Sequence, residues 1–243
     1  MSVAPAVRPL TERQFFTGMA IAMAVAAFAG FAPTYYLAGL NDARTPVLTA
    51  SVHVHGALNT AWMLLLITQT ALIARGRPDI HRLTGMAGIV LAIGILVSGL
   101  LVAVGSERRV HTDANAGTMA DPYVFLMFPL ANVLLFAVFV GLGIANRGRS
   151  DVHKRLMLLA TISLLGPALA RIITQVSSIP GAIGALWFMD VFLVALVAYD
   201  LASRGRLHPA TLWGGGLLLV SEPLRVAIAH TAPWQAFARS LMA

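Results

Sequence analysis

The stretch VLTASVHVHGALNTAWMLLLITQTALIARGRPDIHR, residues 47–82, decides the fold class. Residues 47–74 carry no Asp, Glu, Lys or Arg, and they exceed the roughly 20 residues that a helix needs to cross about 30 Å of hydrocarbon. Arg75, Arg77, Asp79 and Arg82 follow at once. The same alternation runs through the chain, with apolar spans at 16–40, 47–74, 83–104, 123–145, 156–176, 185–202 and 210–229. Over 243 residues, 58% are hydrophobic and 11% charged, and the mean hydropathy is +0.80. That balance excludes an ordinary soluble domain. The spans lack the two-residue alternation of a membrane barrel, so the expected fold is an all-α transmembrane bundle of seven helices in one domain, 1–243. Residues 230–243 form an expected interfacial tail, because Trp234, Phe237 and Leu241 recur at helical spacing.

The chain has no cysteine, which rules out thiolate ligands and disulfides. Its formal charge of +7 does not point to nucleic acid, because the arginines cluster in short loops between apolar spans. Arg8 and Arg13, then Arg75, Arg77 and Arg82, then Arg147, Arg149, Lys154 and Arg155, then Arg204 and Arg206 would share one side. Arg44, Arg108, Arg109 and Arg239 would share the other. Basic loops favour the cytoplasm, so the N-terminus is expected there and the C-terminus in the periplasm of a bacterial inner membrane. The first span is read as a retained helix: Ala27-Phe28-Ala29 resembles a cleavage site, but the apolar run continues to Leu40, beyond a signal core.

The basic loops repeat. RGRPDIHR (75–82) returns as RGRSDVHK (147–154) and, shortened, as RGRLHP (204–209). One helix followed by three parallel hairpins is the expected organisation. Gly76, Gly148 and Gly205 suit helix ends, Asp79 and Asp151 are placed to cap the next helix, and Pro209 fits a first turn. His81, His153 and His208 occupy equivalent places in the three copies. They are candidates for an inner metal or heme site, beside the plainer reading of hydrogen-bonded interface histidines.

A second polar layer lies at the opposite side. His53 and His55 fall about 9 to 12 Å below that surface at 1.5 Å per residue, and Arg171 reaches a similar depth from the other end of its span. Asp190, Glu222 and Arg225 arrive near the same level, with Asn59 and Asn132 deeper. Buried charges are costly in hydrocarbon and belong on interior faces. His55, Asn59, Trp62 and Gln69 form one stripe, while His53, two residues from His55, points about 200° away. The candidate metal set is His53, His55, Asp190 and Glu222, and the candidate ligand-binding set is Asn59, Gln69, Arg171 and Arg225. Against both stands a structural network in which Glu222 and Arg225 pair on one helix. His111, in the long polar loop, is expected to be solvated.

HVHG (53–56), Gln69, RPDIHRLTG (77–85), DVHKRLMLLAT (151–161) and HPATLWGG (208–215) resemble an uncharacterised family of small multi-helix bacterial inner-membrane proteins, over residues 52–237. A looser likeness is to the diheme cytochromes b, where a histidine on one helix is followed by another at the start of the next. His55 and His81 fill such places, which implies heme b, but the fourth span supplies no partner for His55. A retinal Schiff base is excluded, since Lys154, the sole lysine, lies in a loop. Three functions follow as expectations: a redox protein binding heme b or a divalent metal and meeting a membrane redox partner; a transporter or receptor for a small anionic or quinone-like molecule; and a structural or assembly subunit.

Overall fold

The computed structural model describes residues 11–40, 48–112, 121–176 and 181–242, with side chains described except at 106–112 and 181–188. Arg8, Arg44 and Ser178, and the side chains of Arg108, Arg109 and His111, therefore lie outside the description. Among the described residues all regular structure is helical: α1 Glu12–Phe31, α2 Ala50–Ala74, α3 Pro78–Thr112, α4 Pro122–Phe125, α5 Met127–Ala145, α6 Ser150–Leu164, α7 Gly166–Val176, α8 Gly181–Arg204, α9 Pro209–Ala229 and α10 Ala232–Met242. A π-helical turn, Ala32–Tyr36, extends α1. Five helical stretches are long and apolar enough to cross a membrane, or six if α6 and α7 make one broken span. This is the organisation of a multi-pass membrane protein. The expected span 185–202 falls within α8, whose first side chains are not described.

Several boundaries differ from those read off the sequence. The helix expected to end at 104 continues to Thr112, because Ser106, Glu107 and Arg108 are tolerated in a helix once it leaves the apolar layer. The span at 156–176 begins earlier, at Ser150, and bends by 48° between α6 and α7. Pro167 explains the break: it has no N–H to donate to Ser163, and its ring clashes with the preceding turn. Arg155 therefore stands inside α6, 1% exposed, and not in a loop facing lipid phosphates.

Helices pack along small residues, as they must where lipid removes the hydrophobic incentive between apolar faces. A Cβ added at Gly30 of α1 would lie 2.8 Å from Cα of Ala168 in α7. One at Gly215 of α9 would lie 2.7 Å from a methyl of Leu193 in α8. Phe136 and Phe139 of α5, Leu158 and Leu159 of α6 and Leu196 of α8 fill the centre. The outer surface is equally apolar: Leu83, Val90, Val97 and Leu101 of α3 are all exposed. A helix apolar on every face is matched to a hydrocarbon surround.

The three basic loops gather at one end, but they are not built alike. After α2, Gly76 takes φ 71°, and the N–H groups of Gly76 and Arg77 donate to the carbonyls of Ile73 and Leu72, a Schellman cap. After α5, Gly148 needs no positive φ. The carbonyl of Gly143, three residues before the C-cap as Leu72 is in α2, instead accepts from Nδ1 of His153 at 2.8 Å. In the third copy the loop is shorter. His208 is the N-cap of α9, its Nδ1 accepting from the N–H of Ala210 at 3.0 Å. His208 is therefore not equivalent to His81 and His153, which stand inside the first turns of α3 and α6. Asp79 and Asp151 do not cap either, since both lie within those first turns: Asp79 pairs with Arg77 and Asp151 accepts from His208. The tail helix α10 docks back on the far end of the bundle, where the Trp234 indole donates to the Tyr123 carbonyl at 2.8 Å.

Candidate functional site

The basic end holds the larger concentration of polar groups. Asp200, fully buried on α8, takes Nε of Arg155 at 3.1 Å and also its Nη2, and its other oxygen accepts the His208 backbone N–H at 3.1 Å. Because Nδ1 of His208 accepts from Ala210, its proton is on Nε2, which donates to Asp151 at 3.0 Å. Arg155, Asp200, His208 and Asp151 thus lock α6, α8 and α9 together. Lys154 pairs with Glu12, and Arg13 donates to the Ala74 carbonyl at 3.2 Å, which ties α1 to the same end. The sequence reading missed Asp200. The available signal was an acidic residue, in AYDLASR, where an otherwise apolar span meets the basic loop.

Beside this lock, the rings of His81 and His153 stand 6.3 Å apart, centre to centre, with their planes at 85°. Nδ1 of His153 donates to Gly143, as above. Nδ1 of His81 faces the Gln69 side chain, whose amide is satisfied when its nitrogen donates to that ring and to the His81 carbonyl while its oxygen accepts from Thr84 and Gly85. Both rings are thereby oriented through Nδ1, and among the described residues neither Nε2 has a hydrogen-bond partner. Two of the three predicted inner histidines therefore meet, and His208 is held apart by Asp151 and its capping role.

At the far end the expected clusters separate. His55 is satisfied within the bundle: Ser98 Oγ donates to the Gly94 carbonyl and so accepts Nδ1–H of His55 at 2.9 Å, leaving Nε2 to accept from Asn59 at 3.1 Å. His53 is exposed on the opposite face, its ring 5.7 Å from that of Tyr35. The two histidines therefore split as helical geometry requires. Among the described residues no three His, Asp or Glu side chains converge on a metal-sized site, so the set His53, His55, Asp190 and Glu222 is not brought together.

The set Asn59, Gln69, Arg171 and Arg225 is also dispersed. Asn59 serves His55, and Gln69 serves His81. Arg171 donates to its own Pro167 carbonyl at 2.8 Å and lies 4.6 Å from the Phe31 ring centre. Arg225 is buried and donates to Asn132 at 2.8 Å and Ser221 at 3.0 Å. It makes no ion pair with Glu222, contrary to the same-helix pairing expected from sequence, because Asn132 of α5 draws the guanidinium across the bundle. Nε of Arg225 and Oε1 of Glu222 remain buried without partners among the described residues. Glu222 also lies within electrostatic reach of Asp190.

No family model, curated protein or solved structure matches the chain.

Proposed function

We propose that this chain is a membrane electron carrier that holds one heme b between His81 and His153 at its basic end. The observation that carries the reading is the spacing and freedom of those two rings. Two metal–imidazole bonds of about 2 Å each, together with the half-widths of two rings, would span roughly 6 Å. A pair of imidazoles with no third donor is a poor site for a bare ion, which wants four ligands. It is a sufficient donor set for an iron already held by a macrocycle. The Gly143 carbonyl on Nδ1 of His153 is the outer partner that a ligating imidazole ordinarily keeps, because it leaves Nε2 unprotonated and raises its basicity. For His81 the same state would put a proton on Nδ1, and the Gln69 amide would have to turn by a half-turn to accept it, giving up its bonds to the His81 carbonyl and to the Gly85 N–H. Heme supplies reversible one-electron chemistry, and the chain's residues orient and confine it.

The finer topology belongs to the same proposal. Seven spans, counting α8 and joining α6 with α7, put the basic end and N-terminus in the cytoplasm and the C-terminus in the periplasm of a bacterial inner membrane. Through the repeated RGR loops the first and second hairpins would each provide one histidine to hold the heme.

The test is titration of hemin into the purified protein. A low-spin spectrum saturating at one heme per chain is expected, lost in His81→Ala and His153→Ala and retained in His55→Ala and His208→Ala. Identical unsaturable uptake by the parent and both ligand variants would remove the reading.

A second reading is favoured by the partnerless Arg225 Nε and Glu222 Oε1. Buried polar atoms without partners mark places where a further molecule sits. A small acceptor-bearing molecule, anionic or quinone-like, would satisfy the guanidinium there. Ligand-induced thermal stabilisation should then vanish in Arg225→Gln, and its persistence would exclude this site.

A further inference from the structure

A cleft of about 540 Å³ opens on the outside of the bundle at the basic end, between the C-terminus of α5 and the N-termini of α6 and α9. Its upper rim carries Arg149, Arg204 and Arg206. All three are exposed, and among the described residues none has a side-chain hydrogen bond or ion pair. Among the described residues the one acid lining the cleft, Asp151, is already engaged by His208. Below the rim the lining turns apolar, with Leu142, Trp213 and Leu217 facing outward and Trp213 75% exposed. The two helices that begin here, α6 and α9, add the positive ends of their dipoles.

We infer that this cleft binds the headgroup of an anionic diacyl phospholipid. Three guanidiniums clustered without a counter-charge among the described residues favour an anion, and guanidinium matches phosphate oxygens in a forked geometry. The wall beneath specifies what is attached to that anion. A free phosphate would leave Leu142, Trp213 and Leu217 without a role, whereas acyl chains descending from a bound headgroup lie along them. The Trp213 indole stands where such rings sit, at the boundary between headgroups and hydrocarbon. Basic pockets between helices on one membrane face are general sites for phosphate-bearing headgroups. The first basic loop offers an internal contrast, because there Arg77 is neutralised by Asp79.

The test is native mass spectrometry of the detergent-purified protein after exposure to phosphatidylglycerol, phosphatidylcholine or inorganic phosphate. One phosphatidylglycerol per chain should be retained, and phosphatidylcholine and phosphate should not. Arg149→Gln/Arg204→Gln/Arg206→Gln should weaken retention on the order of 100-fold, from several-fold per arginine near a lipid surface. The charge-matched Arg75→Gln/Arg77→Gln/Arg82→Gln variant should keep it. Trp213→Ala, which leaves every charge in place, should lower retention severalfold while phosphate remains unbound. Equal retention of both lipids, equal loss in both triple variants, or phosphate binding as tightly as the lipid would overturn the proposal. If the first triple variant does not fold, Arg204→Gln alone is measured, and undiminished retention there counts against it equally.

Discussion

Replacing Asp200 by leucine isolates the strongest lock in the fold. Asp200 is fully buried, and among the described residues its carboxylate is the only counter-charge in contact with Arg155, which is 1% exposed. Among the described residues the substitution leaves Arg155 with one hydrogen bond, to the Asp151 carbonyl at 2.9 Å, beside the Phe16 ring 5.7 Å away, and it orphans the backbone N–H of His208. Breaking a buried pair by removing one partner costs about 3–5 kcal/mol. An unsatisfied N–H costs about 1–3 kcal/mol, partly overlapping with the first loss. Asp200→Leu should therefore cost about 4 kcal/mol, close to a thousandfold in the folded-to-unfolded ratio. Most of that is the stranded guanidinium, so Arg155→Met/Asp200→Leu should recover to within about 2 kcal/mol of the parent. Equilibrium unfolding in mixed micelles, followed by helicity, measures all three proteins. A single variant within about 0.5 kcal/mol of the parent, or a double variant no better than the single, would refute the lock.

Three further outcomes follow from contacts elsewhere. Gly30→Ala forces a methyl against the Ala168 backbone and should destabilise by about 2 kcal/mol, read in the same unfolding assay. His208→Ala removes an N-cap and should cost about 1 kcal/mol, while His208→Asn, which restores a capping acceptor, should cost less; equal losses would contradict the capping role. Trp234→Phe deletes the bond to the Tyr123 carbonyl and should cost about 1 kcal/mol while raising amide exchange across α10, measured by mass spectrometry.

Much of this molecule could be read from its sequence because membrane insertion is written in long-range composition. Apolar runs of bilayer length and arginines between them announce a helical multi-pass chain, whereas the number of spans and their boundaries do not follow from composition alone: five or six stretches are long and apolar enough to cross, against the seven expected. Local geometry was legible wherever helical phase alone decides it: His53 and His55, two residues apart, had to separate, and they do. What the sequence concealed depended on which helix lies beside which. Arg155 reads as one more loop arginine until α8 brings Asp200 against it. Glu222 and Arg225 have ideal same-helix spacing, yet Asn132 on another helix takes the guanidinium. The basic loops look interchangeable, but two missing residues in the third convert its histidine from a side chain within the first turn to the cap before it. Pro167 falls inside what reads as one continuous span; only the structure shows that the helix breaks there and that it starts early enough to bury Arg155.

The most direct measurement is the heme content of the purified protein, determined as the reduced pyridine hemochrome, for the parent, His81→Ala and His153→Ala. The account predicts up to one heme b per chain in the parent when it is made in heme-sufficient cells, and almost none in either variant, with helicity unchanged. A parent protein that carries no heme and takes up none on reconstitution, or variants that retain the parent's full content, would contradict it.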